Sequence, residues 1–142
     1  QSSFTGLWED EAYYWVWSDN LAWGYFDHPP MVALFIWLGG LIFEGELGVR
    51  LLSAFSFTGM LWFMWKTIDD PEKQKHVKLF IMLVVSLVLL QVYGFISTPD
   101  TPLLFFTAVF FYLYKRFLQD DKVINSLWLG FSMAALLYSK YH

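Results

Sequence analysis

Eight ionisable side chains stand out in an apolar chain of 142 residues: Asp10, Glu11, Asp27, His28, Arg50, Asp100, Lys140 and His142. Carboxylates can act as a general base or hold a divalent cation. Lys, Arg and His can neutralise a phosphate. Brought together beside an apolar groove, they would suit chemistry on a lipid-phosphate substrate at a membrane surface. Each also has a plainer explanation. Asp10 and Glu11 fit a helix N-terminus, where acids complement the dipole. Asp27 and His28 precede Pro29–Pro30 and fit a turn. Asp100 or Thr101 could cap a helix with Pro102 in its first turn. Lys140 could snorkel to a membrane interface, and His76, in a charged loop, reads as solvated.

The elements that must position these groups are oily. The chain is 57% hydrophobic and 15% charged, against about 25% charged in a soluble domain. A bilayer core needs roughly 20 apolar residues in a helix. Four runs approach that length, at 48–68, 79–96, 101–118 and 124–139. The thirteen residues 31–43 are short for a span and suit an interfacial or re-entrant helix. Residues 10–23 suit a short interfacial helix, since Trp and Tyr favour the headgroup level. Gly24 and Pro29–Pro30 then turn the chain. The expected fold is all-α: a polytopic transmembrane bundle with interfacial helices in an outer segment, 1–46. With no cysteine, thiolate catalysis, thiolate metal sites and disulfides are excluded. No basic stripe suits nucleic acid. The chain opens on Gln1 and closes on KYH after an apolar run, and is expected to be part of a longer protein, inactive alone.

Charge orients the bundle. If 31–43 does not cross, Lys66, Lys73, Lys75, Lys78, Lys115, Arg116 and Lys122 gather on one side, seven of the nine basic residues. Positive-inside bias makes that side cytoplasmic. The acids, His28, His142, Arg50 and Lys140 then share the outer face.

The stretch DEAYYWVWSDNLAWGYFDHPPMVALFIWL, with GVRLLSA, STPDTPLLFF and LLYSKYH, resembles the GT-C membrane glycosyltransferases. More narrowly it resembles the bacterial branch related to dolichyl-phosphate-mannose–protein mannosyltransferases and the lipid A aminoarabinose transferase. The resemblance runs from Asp10 to His142. It implies a polyprenyl-phosphate-linked sugar donor, a lipid, glycan or protein acceptor, and transfer at the periplasmic face of a bacterial inner membrane. It implies that Asp10 is the catalytic carboxylate, with Glu11 beside it, and that Asp100 lies near and helps bind a divalent metal with Asp10. Asp27 and His28 match a position where the aminoarabinose transferase has Glu-Lys, the Lys being associated with the donor phosphate. His28 departs from that pattern, and Lys140 could take over the task, with Arg50 and His142 nearby. Asp10 would deprotonate the acceptor hydroxyl and give an inverted product. The competing expectation is a membrane transporter or lipid-carrier flippase, whose polar site would lie near mid-bilayer.

Overall fold

A computed structural model describes residues 6–120 and 122–141. Among them every regular element is helical: α1 (Glu9–Ser18), α2 (Met31–Gly40), α3 (Gly45–Thr67), α4 (Val77–Ser86), α5 (Val88–Tyr93), α6 (Asp100–Gln119) and α7 (Val123–Leu137), with a 3₁₀ turn at Lys73–His76. The helix α3 is long and apolar enough to cross a membrane, and α2 and α7 are shorter apolar helices. His142 lies outside the described residues.

Side-chain pairs fix the helix directions. Ser53 meets Ser97, Phe63 meets Phe105 and Tyr112, and Lys115 Nζ reaches the Thr67 carbonyl at 3.3 Å. The sequence numbers rise together, so α3 and α6 run parallel, with α4 and α5 returning between them. The chain then reverses again, because Lys140, just beyond α7, meets Asp100 at the start of α6. The ends of the bundle therefore differ. One carries Glu11, Arg50, Ser97, Asp100 and Lys140 and is called the rim below. The other carries Lys66, Lys73, Lys75 and Lys115, whose pairs include Lys115–Asp69 at 3.0 Å.

Both ends of α2 sit at the rim. Its first residue, Met31, donates from its N–H to the Tyr138 carbonyl at 3.2 Å. Its Gly39 packs on the first turn of α3 so closely that a Cβ there would fall 2.1 Å from the Gly48 oxygen. Phe35, between them, reaches Phe106 of α6. The short helix thus lies against the rim end of the bundle, with contacts to α3, α6 and the residue after α7. Val32, Ala33 and Ile36 are buried with Tyr14, Trp17 and Val49 in one apolar cluster that fastens α1 and α2 to the start of α3.

The continuous helix expected over 79–96 is not observed. The chain breaks at Leu87 (φ −86°, ψ 83°) between α4 and α5. Ser86 turns its hydroxyl back to the Leu83 carbonyl at 2.8 Å, a local bond that competes with the helix ladder. Gln91 Nε2 donates to the Val84 carbonyl at 2.9 Å. The break therefore does not leave that carbonyl bare, which an apolar medium would penalise. Ten residues make α4 only about 15 Å long. The interfacial helix expected over 10–23 is also shorter, ending at Ser18. Tyr25 ends it by folding back, its ring stacked on Trp17 at 4.2 Å and its hydroxyl donating to the Trp17 carbonyl at 2.9 Å.

Candidate active site

Three acids in the first turn of α1, Glu9, Asp10 and Glu11, face the positive end of the helix dipole. Successive residues on a helix point about 100° apart, so the two central acids meet different surroundings. Glu11 turns inward and is fully buried, against an Arg50 that is 2% exposed. Its carboxylate accepts from Arg50 Nε at 2.8 Å and from Arg50 Nη2. It also accepts from the Ser97 N–H at 3.0 Å and the Trp8 N–H at 3.1 Å. Burial alone would raise the Glu11 pKa, but the Arg50 guanidinium and the two backbone donors hold it below the ordinary value. Ser97 extends the network: its hydroxyl pairs with that of Ser53 at 2.7 Å and lies 2.6 Å from the Val49 carbonyl. One buried lattice thereby locks α1, α3 and the turn before α6 into register.

Asp10 turns outward into a cleft of about 290 Å³. Its neighbours there are Tyr14 on the next turn of α1, His28 from the Pro-Pro turn, Asp100 at the start of α6, and Lys140 after α7. Leu89, Val92 and Tyr93 of α5 form the apolar wall, and the break at Leu87 is what starts this short helix there. Lys140 Nζ lies 2.6 Å from Asp100 Oδ1, both partly exposed. The Asp10 carboxylate makes no hydrogen bond with the described residues. Tyr14 is 7% exposed. Burial, then the negative charges of Asp10, Asp27 and Asp100, push its phenol up to about 12. It is a neutral hydroxyl near neutral pH, kept so first by burial and then by the carboxylates around it.

The structure thus brings Asp10, His28, Asp100 and Lys140 together from four separated stretches. It places three expected site residues elsewhere. Glu11 and Arg50 lie behind the cleft, satisfied by each other and by backbone, so neither is placed to touch a substrate. Asp27 is exposed, and its carboxylate accepts from the Tyr13 hydroxyl at 2.8 Å. The divalent cation expected between Asp10 and Asp100 fits poorly. Among the described residues no group of three or more His, Asp or Glu side chains could hold one, and Asp100 already has an ammonium partner. Sequence reasoning missed Ser53, Ser97, Tyr14 and Thr98. The two serines lay inside the quoted GVRLLSA and STPDTP stretches, but nothing in a hydroxyl's position along the chain says which buried carboxylate network it will join.

Residues 27–142 match the family described as dolichyl-phosphate-mannose-protein mannosyltransferase. The chain is 30% identical over 145 residues to the lipid A galacturonosyltransferase RgtD of Rhizobium johnstonii, an alignment covering 96% of this chain and 29% of that protein. No solved structure matches. The chain therefore spans under a third of that relative, and within that span lie both the acidic helix and the Asp100–Lys140 pair. With a family match over most of its length and an all-helical bundle, the chain belongs to the dolichyl-phosphate-mannose-protein mannosyltransferase family of GT-C glycosyltransferases.

Proposed function

We propose that this chain carries the reaction rim of a glycosyltransferase that moves a sugar from a polyprenyl-phosphate donor to an acceptor hydroxyl at the outer face of a bacterial inner membrane. The observation that carries the reading is the cleft itself: a carboxylate unpaired among the described residues, an imidazole and a carboxylate-braced ammonium meet beside an apolar wall. In this reading Asp10 takes the proton of the acceptor hydroxyl as its oxygen attacks the anomeric carbon from the face opposite the phosphate. The bond from that carbon to the phosphate oxygen breaks, and the sugar is inverted. Negative charge grows on the departing phosphate. Lys140, held by Asp100 through one of its three N–H donors, stabilises that charge by electrostatics. Glu11 and Arg50 hold α1 against the turn that carries Asp100, and so set the spacing between base and ammonium. No step is routed through a metal ion.

The lysine-rich end of the bundle supports the orientation, because positive residues favour the cytoplasmic side. The break at Leu87 is a feature a transporter could share. It holds no ionisable group of the kind that marks many transport pathways within the bilayer. The test is transfer by membranes containing the protein, using undecaprenyl-phosphate-linked mannose, galacturonic acid and aminoarabinose, each with and without EDTA. Transfer from one donor, abolished by Asp10→Asn, is expected, with EDTA changing the rate less than twofold. No transfer from any of them, or full activity in Asp10→Asn, overturns the proposal.

A further inference from the structure

Buried polar atoms without a partner are rare in folded proteins, and each calls for an explanation. Among the described residues three side-chain atoms are in this state: His28 Nδ1, Thr98 Oγ1 and Glu46 Oε2. Two of the three belong to residues that line the reaction cleft. Thr98 is only 8% exposed. Polar residues close to it in the chain are committed: Ser97 to Glu11 and Ser53, and Asp100, beyond Pro99, to Lys140. His28 comes from the turn before α2, its ring edge-on to Tyr14 with centroids 6.0 Å apart. Both atoms are buried without a protein partner, and a buried polar atom left unpaired carries a desolvation cost. A ligand that enters and parts the walls can relieve both.

The chemistry of the two atoms restricts that ligand. A hydroxyl both donates and accepts, and an imidazole nitrogen does one or the other according to tautomer. Phosphate oxygens only accept, and the cleft already offers them the Lys140 ammonium. Vicinal hydroxyls of a sugar need both capacities. Resting on the functional reading above, we infer that Thr98 and His28 form the sugar-reading edge of the cleft, hydrogen-bonding hydroxyls of the transferred glycosyl unit while Lys140 meets the phosphate. At the position of His28 the chain thus reads the sugar rather than neutralising the phosphate.

The isosteric Thr98→Val tests this with three readouts on the protein in membranes or detergent. The KM for the best undecaprenyl-phosphate sugar of the panel above rises roughly five- to tenfold, the worth of one neutral hydrogen bond. The Ki of undecaprenyl phosphate, which has the tail and phosphate but no sugar, stays within twofold. The Tm of the ligand-free protein holds or rises, because an orphaned hydroxyl has been removed. An unchanged KM, a Ki that rises in step with KM, or a fall in Tm each overturns the inference. If Thr98→Val does not accumulate, the KM and Ki readouts on His28→Leu decide, with partial recovery expected in His28→Asn, whose amide can donate or accept near the Nδ1 position. If the wild-type protein transfers from no donor, the functional reading has failed, and the ligand-free Tm still decides whether Thr98 is unpartnered.

Discussion

Replacing Glu11 by Ala separates a positioning carboxylate from a catalytic one. Glu11 and Arg50 are almost wholly buried, and the carboxylate gathers two guanidinium bonds and two backbone N–H bonds. Removing one partner of such a pair leaves a buried charge and costs about 3–5 kcal/mol. The bared Ser97 N–H adds about 1–3 kcal/mol more unless water enters. At about 2–4 °C per kcal/mol for a chain near this size, the ion-pair loss alone lowers Tm by about 6–20 °C. Glu11→Leu combined with Arg50→Met should recover most of that, because a buried pair exchanged for apolar groups is often neutral. Thermal unfolding of the purified protein in detergent, followed by near-UV circular dichroism of its many tryptophans, measures both. A Tm within a degree of wild type in Glu11→Ala, or a double variant no better than the single, would refute the buried-pair reasoning and return Glu11 to the cleft.

Other consequences are read more simply. Asp10→Asn should lower the transfer rate about 10²–10⁴-fold, the usual worth of a general base, with Tm unchanged, measured by single-turnover transfer. Lys140→Ala should raise donor KM about 10- to 100-fold, as for loss of a charged hydrogen bond; a KM within twofold would assign Lys140 to interface snorkelling. The Glu11 pKa is depressed in the fold, so its stabilisation is complete above the ordinary value of 4.5 and is lost as pH falls through the lower folded value. An acid titration of Tm should show that loss in the wild type and not in Glu11→Leu/Arg50→Met. Gly39→Ala should part α2 from α3, since the added methyl meets backbone rather than a movable side chain, and limited proteolysis in the 40–45 loop should rise.

Much of this arrangement was legible in the residues. The 31–43 run was read as too short for a span, and the helix it forms, α2, contacts the rim at both ends. Asp10 and His28, which precede it, line one cleft with Asp100 and Lys140. The division of labour between Asp10 and Glu11 was not legible, because two adjacent acids look alike until a helix turns one onto an arginine 39 positions away. The same holds for Arg50, whose charge suggested a phosphate and whose burial serves the scaffold. The break at Leu87 was hidden because no Pro or Gly marks it. A serine bonding backward and a glutamine taking up a freed carbonyl accompany it, and neither residue interrupts the apolar run enough to mark it.

The central claim is that the reactive groups share one side of the membrane, opposite the lysine-rich end. The chain has no cysteine of its own, so single cysteines at positions 10, 27 and 141 can be compared with one at 75 by a membrane-impermeant maleimide applied to intact cells. Labelling of the first three without permeabilisation, and of position 75 only after it, is the predicted result. Labelling of position 10 and position 141 from opposite sides would contradict the account.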